Sequence, residues 1–517
     1  MLSSSLCLLS SAFLAAHAVP LRKDAIVLTE TRLVTFVELA TATQTETITS
    51  SSTAGSVSPS PSPHSLSTTA LSSDQETVLF LPLPLSSASA AASTPSSVPA
   101  VTTVLFLPQS SAATPSPSTF TPAVTATPLP STVIAAYYPD WAADTLSPEQ
   151  IDFSRYNWVD FAFAVPDANF DLKWDSDTST ALLTRLVSAA HVQGAKVKLS
   201  IGGWDGSSYF SAACADDSTR SIFVSNIASI YHRYDLDGID IDWEYPSQSG
   251  NGNKFGPNDT ANFLSFLQLL RSTLPSAKIS APVQTSTFVG PNGDSLIDVS
   301  AFANALDWVM IMNYDVWGSS STPGPNAPLS DGCHNSSQPT ANAYAAVNAW
   351  TAAGIPPSKI VLGVPSYGYL NKANATSLRA RSSSSSRLFR KKRLQQQVML
   401  QNDDGGTTNG QIEFNQLIKQ GSLVRTQTTT RGNDTSSFVG AGGFTRMWDS
   451  CSSTPFLTSQ SVDQLITYDD PESLSLKAAF AKRAGLLGVE MFDLTGDTER
   501  WELADAIRKG LGVVQVV

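Results

Sequence analysis

The stretch LDGIDIDWEYP, Leu236 to Pro246, sets three carboxylates, Asp240, Asp242 and Glu244, at alternate positions, with Ile239, Ile241 and Trp243 between them. Alternation of period two reads as a β-strand, so the acids share one face and the apolar residues pack outward from the other. At a rise of roughly 3.3 Å per residue the acids climb that face as a stack. Like charges so close cannot all ionise freely, because each raises its neighbour's proton affinity. Such a stack suits a site that needs a proton donor above a supporting anion. A satisfied acidic ladder and a cation site are the competing readings of the bare pattern.

Similar β-branched runs recur from Ser131 onward. They are STVIAAYYPDW (131–141), YNWVDFAFA (156–164), KVKLSIGGW (196–204), DGIDIDWEY (237–245), KISAPVQ (278–284), DWVMIMNYD (307–315), KIVLGVPSYG (359–368) and GLLGVEMFD (485–493). Amphipathic segments such as NFLSFLQLLRSTL and AYAAVNAWTAAG lie between them. Eight strands alternating with helices predict an α/β fold with a parallel sheet closed into a (β/α)8 TIM barrel. An open doubly wound sheet competes, but no Gly-rich phosphate loop follows the first strand. The gap between strands 7 and 8 is too long for an ordinary connection and predicts a small α+β insertion over 370–464. Its basic run, RARSSSSSRLFRKKR, reads as a solvated loop or a processing site. In a barrel the strand ends and following loops build the active site, so Glu244, last on its strand, stands at the rim with Asp242 and Asp240 successively deeper.

The chain has 517 residues with 44 acidic and 32 basic side chains, a net charge of −12. That balance argues against nucleic acid as a partner. Residues 1–18 read as a secretory signal peptide ending in Ala16-His17-Ala18. No segment is long and apolar enough to predict a membrane span. Residues 19–130 are Ser/Thr/Pro-rich and predict a disordered stalk, O-glycosylated or else an unmodified flexible linker, interrupted by near copies TVLFLPLP and TVLFLPQS to which no role is assigned. After signal removal Cys214, Cys333 and Cys451 allow one disulfide, and sequence does not choose the pair. Sequons at Asn258, Asn335, Asn374 and Asn433 fit a secreted, extracellular glycoprotein, with cell-wall association through the stalk left open. His191, His232 and His334 have no ligand-like spacing, so neither metal nor cofactor is expected.

DGIDIDWEYP resembles the D-G-x-D-x-D-W-E signature of family 18 glycoside hydrolases, the chitinases. SIGGW (200–204) resembles their S-x-G-G motif, MNYD (312–315) their M-x-Y-D, and YDDPES (468–473) with Lys477 the segment before their last strand. The motifs fall in the family's order over roughly Ser131–Lys509, the expected catalytic barrel being 131–517. The resemblance implies a retaining, substrate-assisted hydrolysis of β-1,4-linked N-acetylglucosamine, endochitinase-like, acting on chitin or chitooligosaccharides as a monomer. Glu244 would be acid then base, Asp242 would orient the acetamido group, Asp240 would support it from behind, and Tyr314 would hydrogen-bond the acetamido oxygen. Tyr137, Phe163, Gly203, Trp204, Met312, Asp315, Trp317, Tyr367 and Phe492 are the implied or positionally expected substrate-binding residues. The family's last strand usually reads G-x-M-x-W, whereas here GVEMFD puts Phe492 where Trp is expected and Glu490 where Met is expected. Both should face inward, Glu490 pairing with a nearby Arg or joining the site. Two alternatives share these motifs: an endo-N-acetylglucosaminidase acting on N-glycans, and a non-catalytic chitin-binding lectin.

Overall fold

The computed structural model describes residues 132–319, 322–373, 377–378, 397–430 and 433–513, with side chains of 427–430 and 433–436 left aside. The expected signal peptide and stalk, both TVLFLP copies, Asn374 and the basic run lie outside the described residues. Eight parallel strands form a closed ring: β1 (Val133–Pro139), β2 (Trp158–Pro166), β3 (Lys196–Gly202), β4 (Gly238–Asp242), β5 (Lys278–Val283), β6 (Trp308–Met312), β7 (Ile360–Pro365) and β8 (Gly488–Phe492). Each pairs with its sequence neighbours, and β8 pairs with β1 to close the (β/α)8 TIM barrel.

Among the described residues six helices of ten residues or more pack outside it: α1 (Ser179–Val192), α2 (Asp217–Arg233), α3 (Asp259–Thr273), α4 (Ala343–Ala352), α5 (Pro471–Arg483) and α6 (Glu502–Leu511). Strict alternation fails in two places. Two 3₁₀ turns follow β1, where Pro148 starts the second, and one short helical turn, Phe302–Ala305, follows β5. As the alternation in β4 requires, Ile239, Ile241 and Trp243 face the helices. Trp243 stacks on Phe210 at 5.4 Å and meets Phe263 of α3 edge-on at the same distance. Truncating such a ring to Ala typically costs about 3–5 kcal/mol. The opposite parity lines the lumen, where Tyr137, Trp158, Ala162, Trp308, Met310 and Val361 cluster.

Between β7 and α5 lies a five-stranded antiparallel sheet that starts at Tyr367–Lys372, includes Gly410–Glu413 and Thr445–Asp449, and ends with Thr454–Ser459 and Gln464–Thr467. A short helix, Phe414–Lys419, and a hairpin of Leu423–Thr430 with Asn433–Gly440 accompany it. The sheet therefore begins at Tyr367, not Leu370, because the run read as one strand breaks at Ser366, whose N–H bonds across to Phe492 O. Two joints hold it to the barrel. Asp470 caps α5 through the Glu472 and Ser473 N–H groups and also pairs with Arg446 of the inserted sheet at 2.7 Å. Cys333, in the segment joining β6 to α4, forms a disulfide with Cys451 of the insertion, and Cys214 is a free, buried thiol. Within the YDDPES motif, Asp469 forms a wholly buried pair with Lys477 at 2.5 Å. Asn258 and Asn335 are exposed. Among the described residues no helix is long and apolar enough to cross a membrane.

Candidate active site

Glu244 lies two residues beyond β4, not on it, and the reason is next door. β3 ends at Gly202, where Gly202 and Gly203 adopt φ of +113° and +84° and turn the chain away. The last ladder contact is Gly203 N–H to Asp242 O at 2.9 Å. Beyond it Ser207 takes over: its Oγ accepts the Glu244 N–H at 2.9 Å and donates to Gly203 O at 2.9 Å. A Cβ at Gly202 would lie 2.2 Å from Asp242 O and 2.7 Å from the Phe210 ring. Gly202→Ala therefore combines an unfavourable backbone region with an overlap against main chain, and should destabilise by about 3 kcal/mol or more. A urea titration checks this, and a loss below 1 kcal/mol would show that the turn adapts.

The three acids sit in graded surroundings. Asp240, fully buried, accepts from Tyr137 Oη at 3.0 Å, Ser200 Oγ at 2.9 Å and Ser280 Oγ at 2.5 Å. Asp242 is buried with its Oδ1 unpartnered among the described residues. Burial, then the charges of Glu244 and Asp240, push its carboxyl well above the usual carboxylate range. Burial pushes Glu244 up to about 7, opposed by a hydrogen bond from the Tyr245 hydroxyl and reinforced by Asp315. The outcome is a carboxylic acid that keeps its proton near neutral pH, above a carboxyl that three hydroxyls hydrogen-bond.

Around the acids the lumen mouth is aromatic. The Phe492 ring lies 5.3 Å from Tyr137, 6.2 Å from Tyr314 and 6.4 Å from Tyr367. Phe163 lies 6.4 Å from Tyr137 and covers Gly203, where a Cβ would meet its ring at 3.1 Å. Met312, last on β6, packs with Phe163 and Phe492 against the lumen cluster. Asp315 takes a left-handed conformation, φ +57°, and its Oδ1 accepts from Tyr367 Oη at 2.6 Å and Tyr369 Oη at 2.7 Å. Tyr367 thus acts from the inserted sheet, not from strand seven. Trp204 stands at the rim, 51% exposed, and Trp317 packs against Gly324 in the loop beyond Asp315.

Glu490 does face the lumen, but among the described residues no arginine meets it there. Its buried carboxyl sits among Asp160 and Lys198, and burial with the Asp160 charge pushes it well above the usual range. Sequence reading missed Lys198, Asp160, Ser280, Tyr245 and Tyr369. Parity was the available signal: Lys198 shares a face with Ser200 and Gly202 in KVKLSIGG, and Tyr369 shares one with Tyr367.

Comparison with known proteins places this architecture. Residues 133–497 match the family described as Glycosyl hydrolases family 18. A "chitinase-like effector" of Moniliophthora roreri is 35% identical over 385 residues, covering 74% of this chain and 93% of that protein. "Chitinase A1" of Niallia circulans is 28% identical, covering 59% of this chain and 41% of that protein. A chitinase crystal structure from Rhizomucor miehei superposes with a TM-score of 0.58 at 29% identity, covering 73% of this chain and 100% of that one.

Proposed function

The chain belongs to the family 18 glycosyl hydrolases, and on that premise we propose that it is a secreted, monomeric chitinase hydrolysing β-1,4-N-acetylglucosamine linkages through Glu244. The observation that carries the reading is the buried Glu244 carboxyl, held up to about 7 at the lumen mouth directly above Asp242 and Asp240. Glu244 protonates the leaving glycosidic oxygen while the substrate's own acetamido oxygen closes on the anomeric carbon, giving an oxazolinium-like intermediate with retention after hydrolysis. Asp242 orients the acetamido N–H and balances the positive charge. Tyr314 donates to the acetamido oxygen. Phe492, among its three tyrosines, forms the floor under the cleaved sugar, with less area than an indole and no N–H to offer. Glu244 then takes the proton of the incoming water.

The test is turnover of chitin oligosaccharides beside cello-oligosaccharides and a high-mannose glycoprotein. Cleavage of the first alone is the expected result, since cello-oligosaccharides lack the acetamido nucleophile. Release of glycans alone would make the protein an endo-N-acetylglucosaminidase. A second reading, a barrel that holds the oligosaccharide without cutting it, takes support from the relative named "chitinase-like effector", and tight binding without turnover would select it. The acid must start protonated, so kcat should fall as pH rises through about 7 and hold below it, until a second protonation of the stack intervenes. A pH–rate profile flat from 6 to 9 would contradict this assignment of the donor.

A further inference from the structure

Beneath the acid stack lies a lysine that the proposed chemistry does not use. Lys198 on β3 is fully buried, its Nζ 2.8 Å from Asp160 Oδ2 on β2 and 3.7 Å from Asp240 Oδ1 on β4. It also donates to Ser280 Oγ on β5 at 2.5 Å, and that hydroxyl in turn donates to Asp240 Oδ1. Its ammonium lies 4.5 Å from the centroid of the Trp308 ring on β6. The other titratable groups facing this layer are Tyr137 on β1, Glu490 on β8, Asp242 above, and Tyr314 after β6. β7 contributes Val361 to the lumen.

We propose that Lys198 is a positioning residue of the stack: its ammonium, directly and through the Ser280 hydroxyl, fixes the Asp240 carboxyl beneath Asp242, so that the working proton is exchanged between Asp242 and Glu244. The proposal rests on the hydrolase reading above. Three features carry it. Asp240 is gripped by three hydroxyl donors and faced by the Lys198 ammonium at 3.7 Å. Asp242, one layer higher, has an Oδ1 with no hydrogen-bond partner among the described residues, and burial with the neighbouring charges raises its proton affinity. Glu490, crowded by Asp160, is pushed well above the usual carboxylate range, Asp160 itself is raised to about 6, and Lys198 faces both Asp160 and Asp240. The proton that Glu244 gives to the leaving oxygen is returned by the hydrolytic water, and Asp240 takes no part in that exchange.

The test is the pH profile of kcat/KM for the full-length protein, Lys198→Met, Asp160→Asn/Lys198→Met and Lys198→Arg. Removing a buried positive charge favours protonated carboxyls, so both limbs of the Lys198→Met profile should move toward alkaline pH by about one unit. The double variant removes an ion pair rather than stranding one charge, which protects folding; losing Asp160 offsets part of the loss of Lys198, so its limbs should move the same way by less. Lys198→Arg should return the limbs toward wild type. A uniform loss of rate with unmoved limbs in both Met variants would reduce Lys198 to a packing role and overturn the proposal. If the wild-type protein turns over nothing, the hydrolase reading fails separately. The same variants are then compared by the pH dependence of chitotriose affinity, followed by tryptophan fluorescence. A shift there sustains the lysine's role, and unshifted or absent binding overturns it.

Discussion

Replacing Glu244 with Gln should lower kcat on chitin oligosaccharides by about 10³-fold while leaving their affinity within a few-fold of wild type. The amide fills nearly the same volume but has no acidic proton to give. The backbone anchor that places the residue, its N–H on Ser207 Oγ, does not involve the side chain and survives the change. Stability should not suffer. A carboxyl whose folded affinity for protons is raised holds its proton more tightly folded than unfolded. That contribution is therefore complete below the unfolded value of about 4.5 and is lost as pH rises through about 7. The neutral amide escapes this loss, so the variant should melt at or above the wild-type temperature at pH 8 and no higher than it at pH 4. Turnover assays beside thermal melts at both values check the pair of statements. A variant that has lost both affinity and melting temperature would mean that Glu244 is structural, and one that keeps its kcat would remove it from the chemistry.

Reducing the Cys333–Cys451 bond, or replacing both cysteines by Ala, should cost about 4–5 kcal/mol, because the bond closes a loop across 118 positions of sequence in the unfolded chain. Spread over the entropy of melting a barrel of this size, that is a fall of about 5 °C. The consequence is also local. The bond ties the segment after β6 to the inserted sheet, and that segment carries Tyr314 and Asp315 near its start. Loosening it should raise KM more than it lowers kcat, since Glu244, Asp242 and Asp240 are carried by β4 and the turn after it, two strands away from β6. Melting and kinetics with and without dithiothreitol separate the two effects. An unchanged melting temperature would show that the insertion docks without its tether.

Most of the barrel was legible because parity is a strong signal when every strand is apolar outward and selective inward. DGIDIDWEY alone gave the orientation of three acids and three core residues. The helical partners after β1 and β5 were over-read, since alternation was extended to segments whose Pro148 and shortness favour turns. The position of Tyr367 was misjudged for a different reason: Pro365 and Ser366 interrupt the ladder without interrupting the β-like composition. Lys198 and Asp160 went unread because a charge on a strand is ordinarily taken as solvent-facing, and only closure of the ring shows that it has nowhere to go but inward. The disulfide was not readable at all, since pairing depends on how an insertion folds back over a loop more than a hundred residues earlier.

The two tyrosines that grip Asp315 bear on how this protein could be made smaller. Tyr367 and Tyr369 open the first strand of the inserted sheet. A designer wanting a minimal catalyst would cut after Pro365 and rejoin before Asp470, keeping every residue of the acid motif. That miniature would keep its furnace and lose one wall of it: Asp315, in its left-handed turn, would be left with a charge and no hydroxyl to answer it. The shortest workable version of this protein is therefore a barrel with its first inserted strand retained, and a library of truncations should show activity stopping at that strand rather than at the barrel's edge.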